Sequence, residues 1–365
     1  MNSIGVYIHI PFCRRKCPYC DFYSIGYSAE KADIYTEKVC SSIRYFGESI
    51  RRNADTLYFG GGTPGIIGAD RLCKMVNEIK ENFGFSNNPE ITVEVNPEKE
   101  NIDFDKMRKN GINRISIGLQ SANDSELKIL GRLHNVKQAE LCIDRAKSAG
   151  FDNISLDLMT STPTQTKYSL EKSIEFCAKK DVQHISAYIL KIEQGTPYYN
   201  IRETLDICDE DEQAEMYLFT VEKLREYGYH QYEISNFCKS GFESKHNLKY
   251  WHDEEYIGIG TSAHSFVNGK RFYFPRSFED FYNLKTVSDG EGGSKEEFIM
   301  LALRLSEGLT EKRYKNRFGE SIPEVYKNNA AKFSKLGFLE INSDGIRLMP
   351  KGFLVSNYII SEILG

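Results

Sequence analysis

The feature that most constrains the fold is a regular alternation of short β-rich runs with longer amphipathic stretches. "IGVYIHI" (4–10), "DTLYFG" (55–60), "EITVEV" (90–95), "NRISIGL" (113–119), "NISLDLM" (153–159) and "HISAYIL" (184–190) are rich in β-branched and aromatic residues, and most are bounded by Gly, Pro or Asn. Between them, "AEKADIYTEKVCSSIRYF", "ADRLCKMVNEIKENF", "VKQAELCIDRAKSAG" and "SLEKSIEFCAKK" carry helical periodicity, and two of these end near a glycine suited to a C-cap. Strand–helix alternation implies parallel strands joined by right-handed crossovers. The expectation is an α/β fold, with six units that fit an incomplete (β/α)6 TIM-like barrel at least as well as an open sheet.

Unusual polar groups cluster where the expected strands end. Cys13, Cys17 and Cys20 follow the first strand, "GGGTP" the second, and Glu94 closes the third. Gln120 follows the fourth, and Asp157 lies within the last turn of the fifth. Parallel α/β folds gather the C-terminal strand ends on one face, and that face holds the site.

"HIPFCRRKCPYCDF" places three cysteines in eight positions and then Phe22 where a fourth could stand. The other six, Cys40, Cys73, Cys142, Cys177, Cys208 and Cys238, are scattered singly, which is not a secreted disulfide framework and predicts a reducing, cytoplasmic compartment. Structural zinc takes four ligands; His9 or Cys40 could complete such a set, yet neither extends the local spacing. An iron–sulfur cluster held by three thiolates keeps one iron open to a substrate or cofactor. The net charge of −5 gives no electrostatic reason to expect nucleic acid. No apolar run approaches the ~20 residues of a membrane span, and "MNSIGVYIHIPF" lacks the marks of a signal peptide.

Past about residue 240 the pattern changes. "SKHNLKYWHDEEYIGIGTSAHSF" is dense in His, Gly and aromatic residues, and "DGEGG" (289–293) reads as a glycine-rich linker. Beyond it come a helix, "KEEFIMLALRLSEGL", and a tail with a Ser-Asp-Gly hairpin between two helices. The expected organisation is a barrel over 1–240, a connecting segment over 241–290 and a small C-terminal domain over 291–365, winged-helix-like in shape. Nine basic against five acidic residues between Glu311 and Lys351 are a modest excess, so packing on the barrel is a better use of that domain than DNA binding.

Cys-x3-Cys-x2-Cys, with Tyr19 before the last cysteine and "YFGGGTPG" after the next strand, resembles the radical S-adenosylmethionine superfamily. The resemblance implies a 4Fe–4S cluster on Cys13, Cys17 and Cys20. Its open iron is chelated by S-adenosylmethionine, and one electron cleaves the sulfonium to methionine and a 5′-deoxyadenosyl radical. By the same matching, Tyr7, Tyr19, Gly61, Gly62, Thr63, Glu94, Gln120, Arg132 and Asp157 correspond to S-adenosylmethionine contacts. Taken alone, the glycines suit a tight strand-to-helix turn, Glu94 and Asp157 capped strand ends, and Arg132 a solvated charge.

"YIHIPFC", "FGGGTP", "EVNP", "RISIGLQS", "LGRLH" and "YIGIGTSAHS" together resemble the oxygen-independent coproporphyrinogen III dehydrogenases and the related HemW-type heme chaperones, over nearly the whole chain. The dehydrogenases carry a fourth cysteine where this chain has Phe22, and "HNLKYW" (246–251) matches the signature of the chaperones. The resemblance therefore implies heme binding and transfer to an acceptor hemoprotein, with respiratory-chain proteins as the suggested acceptors. Its alternative is radical decarboxylation of coproporphyrinogen III; a third reading is radical chemistry on an unrelated substrate. His246 is a candidate iron ligand, with His252 and His264 as alternatives, and Lys249 a candidate partner for propionates. The sequence leaves open whether the protein is a monomer or a homodimer and whether it touches a membrane transiently.

Overall fold

A computed structural model describes residues 3–98 and 102–365. The six expected strands are all present: β1 (Ile4–Ile10), β2 (Ala54–Gly61), β3 (Phe85–Val95), β4 (Arg114–Gln120), β5 (Ile154–Thr160) and β6 (His184–Ile189). They lie side by side in chain order, every neighbouring pair parallel. Four helices fall where the periodicity placed them: α1 (Ala29–Ile50), α2 (Ala69–Asn82), α3 (Val136–Ser148) and α4 (Lys167–Lys179). α5 (Glu210–Glu226) follows β6.

The sheet is larger than the alternation implied, and it is mixed. Beyond β6 it gains β7 (His230–Gln231) and β8 (Asn236–Cys238), both antiparallel. Beyond β1 it gains β9 (Tyr256–Ile259), which is parallel to β1, then the antiparallel strands β10 (His264–Val267), β11 (Lys270–Tyr273) and β12 (Val287–Glu291). The order is β12-β11-β10-β9-β1-β2-β3-β4-β5-β6-β8-β7. Residues 289–291, read from sequence as part of a linker, are thus in an exposed edge strand, and Gly292, Gly293 and the N-cap Ser294 follow it before the next helix. β12 has no buried side chain, so it offers no periodic signal to a reader of the sequence.

The two faces of the sheet differ in character. Val6, Ile8, Leu57, Phe59, Ile115, Ile117, Ile154 and Leu156 pack with the apolar faces of α1 to α4 into one core. Alternate residues point the other way, and they are polar: Tyr58, Thr92 and Arg114 are in register across β2, β3 and β4, as are Glu94 with Ser116 and Asp157 with Ser186. Because strand side chains alternate, an apolar core on one side fixes a polar surface on the other. Cys40 belongs to the apolar side, fully buried on α1.

A second apolar cluster gathers Phe298, Ile299, Leu309, Tyr314, Phe333, Leu339 and Ile346, with Tyr217 of α5 joining it. It contains a three-stranded sheet whose hairpin, Leu339–Asn342 with Gly345–Leu348, turns at Ser343-Asp344 as the sequence indicated. Asp253, fully buried, ties this part to the main sheet by accepting from Arg271 at 3.2 Å and Arg317 at 2.9 Å.

Candidate functional site

The three clustered cysteines lie on the loop that leaves β1. Phe12–Cys13 pairs with Ile25–Gly26, which closes the loop at its base, and Cys20 donates its backbone N–H to the Cys17 carbonyl. The loop is fastened to neighbours at its far end: Arg15 donates to the Gly131 carbonyl at 2.7 Å, and Tyr198 N–H donates to the Pro18 carbonyl at 3.0 Å. Cys13, Cys17 and Cys20 are all partly accessible, whereas Cys40, Cys73, Cys142, Cys177 and Cys238 are buried. Burial pushes the Cys13 and Cys20 thiols up. Their thiolate forms therefore need a positive partner such as a metal. Neither candidate for a fourth ligand can reach: Cys40 is in the helix core, and both ring nitrogens of His9 are engaged, by Tyr7 Oη at 3.3 Å and the Tyr23 carbonyl at 3.0 Å.

A relay of hydrogen bonds joins two of these cysteines across the strand ends. Cys13 Sγ lies 3.5 Å from Thr63 Oγ1, and Thr63 accepts from Asn96 Nδ2 at 3.0 Å. Asn96 Oδ1 accepts from Arg132 Nη2 at 2.6 Å, that same nitrogen donates to the Gly118 carbonyl at 3.0 Å, and Arg132 Nη1 reaches Cys17 Sγ at 3.4 Å. The buried Nε of Arg132 has no partner among the described residues. A guanidinium with a spare buried donor beside the cysteine loop has the chemistry to receive a carboxylate.

The glycine stretch after β2 is required by close approach. Gly61 has φ +112°, and a Cβ there would lie 2.5 Å from His9 Cε1; one on Gly62 would lie 2.7 Å from the Phe12 carbonyl oxygen. Gly62 and Thr63 donate to the Ile10 and Phe12 carbonyls, so the second strand's exit is zipped to the first. Gln120 ends β4 at φ +68°, and its Nε2 comes close to Gly118 beside the Arg132 guanidinium.

Two carboxylates complete the polar face. Glu94 accepts from Tyr58 Oη at 2.8 Å, and burial, helped by the Asp157 charge, raises its carboxyl to about 7. Asp157 accepts from Ser116 Oγ at 3.3 Å and is likewise raised by burial. Tyr19 packs against Tyr198, ring centroids 6.3 Å apart, beside Leu130 and Met159. The donor set fits the group the resemblance implies: partly open thiols for iron, a buried guanidinium for a carboxylate, and two carboxylates for ammonium and hydroxyl groups.

His246 lies elsewhere. It is on α6 (Lys245–Trp251), whose first N–H groups are received by the buried Glu90 carboxylate at 3.1 and 3.0 Å. Its ring is 1% exposed, and both nitrogens are engaged: Nδ1 with Thr56 Oγ1 and Nε2 with Tyr250 Oη, each at 2.8 Å. The ring stacks on Tyr58 at 5.2 Å and Tyr7 at 6.3 Å, and burial lowers its pKa to about 3. As held here, neither nitrogen is open to an iron. Lys249 is also buried, paired with Asp55 at 2.8 Å and Glu254 at 3.0 Å, and so is not presented to an acidic ligand.

Comparison with known proteins finds relatives along the whole chain. The radical SAM superfamily model matches residues 7–177, and the HemN C-terminal domain model matches residues 295–355. The heme chaperone HemW of Bacillus subtilis is 33% identical over 375 aligned residues, 99% of each chain. The chain belongs to the HemW heme chaperone family. The Lactococcus lactis HemW is 32% identical, covering 99% of this chain and 97% of its own. Among solved structures, coproporphyrinogen III oxidase (HemN) of Escherichia coli superposes with a TM-score of 0.84 over 99% of this chain and 90% of its own. At 20% identity that likeness speaks for the fold, a radical SAM/HemN-like α/β architecture.

Asn96 is the member of the relay that the sequence did not single out. Its signal was present in "EVNP", an amide directly after a strand end and before Pro97. Sequence alone cannot separate that arrangement from an ordinary strand cap.

Proposed function

We propose that this chain is a heme chaperone, which binds heme, holds a 4Fe–4S cluster with S-adenosylmethionine, and passes the heme to acceptor hemoproteins, respiratory-chain proteins among them. Cys13, Cys17 and Cys20 hold the cluster. Thr63, Asn96 and Arg132 set the methionyl end, with Arg132 receiving its carboxylate. Gly61 and Gly62 bring backbone close to it, and Tyr7, Tyr19, Glu94, Gln120 and Asp157 surround the remainder. When bound, the cluster supplies one electron to the sulfonium. The observation that carries the reading is the relay from Cys13 through Thr63, Asn96 and Arg132 to Cys17, which couples the thiolate loop to a carboxylate receptor.

In this reading the six parallel strands form an incomplete barrel over 1–240, residues 241–290 carry the aromatic and His-rich segment, and 291–365 form a C-terminal domain. His246 acts as a brace for Tyr58, Tyr7 and Tyr250. Among the described residues no helix is long and apolar enough to cross a membrane, and the single cysteines suit the cytoplasm.

Anaerobic addition of iron and sulfide, then S-adenosylmethionine, then heme tests the assignment. A brown protein whose cluster spectrum responds to S-adenosylmethionine, and which transfers heme to an apo-hemoprotein, is expected. Colourless protein with zinc in the cysteine loop would refute the cluster. Steady formation of vinyl product from coproporphyrinogen III would replace the chaperone with an enzyme.

A further inference from the structure

The chain has seven histidines, and six of them are committed. His9 and His246 have both ring nitrogens bonded, as described above, and His184 is bonded to Ser155 and Tyr232. His134 donates its Nε2–H to the Leu119 carbonyl at 3.2 Å, and its Nδ1 is buried with no partner among the described residues, out of reach of a ligand. His230 faces Glu243 and Cys238 at the far edge of the sheet. His252 sits between Glu254 and Glu307, its Nδ1 3.8 Å and its Nε2 3.3 Å from their carboxylates; burial opposes its proton, but the two carboxylates outweigh it and raise the pKa.

His264 is different. It is exposed on β10, its ring stacked on Tyr273 with centroids 4.9 Å apart and planes 22° from parallel. Nδ1 is 3.9 Å from an Asp289 carboxylate oxygen, and Nε2 has no partner among the described residues. At that distance Asp289 makes no hydrogen bond to the ring, so what makes this imidazole available to a metal is its exposure and its open Nε2.

His264 lines a cavity of about 370 Å³ with Tyr7, Phe22, Tyr23, Tyr256 and Arg276. Phe22 is 68% exposed and places its ring on the cavity lining. Among the described residues Arg276 has a single long pairing, with Asp21 at 3.8 Å, both side chains more than half exposed. So weak a contact is readily exchanged for another carboxylate. One wall is built by the His246 stack: Tyr250 bonds His246 and meets Tyr256 edge-on at 4.6 Å. The cavity therefore offers flat aromatic surface, an accessible nitrogen ligand and an accessible guanidinium on one rim.

We propose that heme docks in this cavity, with His264 Nε2 on the iron, Phe22 and the tyrosines against the macrocycle, and Arg276 on a propionate. The assignment rests on the heme chaperone reading and makes His246 a positioning residue that acts through Tyr250. Tyr7 and His9 line the same cavity and pack on Gly60 and Gly61, so the cargo site and the glycine loop share one wall.

Ferric heme titrations of the wild type, His264→Ala, His264→Gln, Arg276→Ala and His246→Ala, read by the Soret band and low-temperature EPR, test the proposal, with metal-free protoporphyrin as a second probe. Both His264 variants should lose the nitrogen-ligand signature and bind heme at least ten-fold more weakly, with added imidazole restoring the spectrum. Their affinity for protoporphyrin should stay near wild type, because only the iron bond is gone. Arg276→Ala should weaken both probes several-fold without moving the Soret band, and His246→Ala should keep the ligand signature. Unchanged heme spectra and affinity in the His264 variants would overturn the site and leave the chaperone reading standing, as would loss of the signature in His246→Ala alone. A wild-type protein that takes up no heme would overturn both.

Discussion

Replacing Glu94 with Gln should stabilise the unloaded protein at neutral pH while weakening its hold on S-adenosylmethionine. Glu94 shares the polar face of the sheet with Asp157, and burial, then the Asp157 charge, raise its carboxyl from 4.5 to about 7. A carboxyl raised on folding costs stability as pH rises: nothing below about 4.5, progressively more between about 4.5 and 7, and the full penalty above about 7. At roughly 1.36 kcal/mol for each tenfold change in proton affinity, the full penalty is about 3 kcal/mol. Glu94 keeps some solvent contact, so about 2 kcal/mol is the working value. Glutamine retains an oxygen for the Tyr58 hydroxyl and removes the charge. Urea unfolding of the iron-free protein under anaerobic, reducing conditions should therefore show Glu94→Gln more stable by about 2 kcal/mol at pH 8 and equal to wild type at pH 4. In the loaded protein the same change removes an ionic acceptor, and affinity should fall roughly ten-fold. A stability difference that does not vary with pH, or a variant less stable than wild type at pH 8, refutes the reasoning.

Two other substitutions probe the strand ends. Asn96→Ala removes both the 2.6 Å bond to Arg132 and the donor to Thr63; a charged hydrogen bond of about 1.5–3 kcal/mol gives roughly ten- to hundred-fold weaker S-adenosylmethionine binding by calorimetry, with the cluster absorbance unchanged. Equal affinity in that variant would remove Asn96 from the site. Gly61→Ala forces a side chain into left-handed backbone and against the His9 ring, and should cost about 1–3 kcal/mol, read as a lower thermal midpoint; an unchanged midpoint would show that the loop can move aside.

The parallel half of the sheet was legible because its physics is local. β1 was placed to the residue, and β2, β4, β5 and β6 to within a residue, since each is a dense β-branched run with a helix after it. The near end of β3 was missed: Asn87, Asn88 and Pro89 interrupt its pattern, although the strand begins at Phe85. β9 was seen only as a motif, because its partner is β1, some 250 residues earlier, and nothing in "YIGIGTSAHS" announces a pairing so distant. The site was legible to the extent that it lies at strand ends, where one position in the chain fixes one place in the fold. The burial of His246 and Lys249 was not legible for the converse reason. They sit on a seven-residue helix, and a stretch that short does not show which side faces the interior.

Strand β1 has seven residues and two duties. Its end carries the thiolate loop, while Tyr7 and His9, projecting from its polar side, help to line the aromatic cavity and lean on the glycines of β2. Close-packed interiors yield little to compression, so a displacement of this strand at either end is transmitted to the other. The two compartments share one strand, so whatever enters the cavity rests on the peptide that leads to the sulfurs.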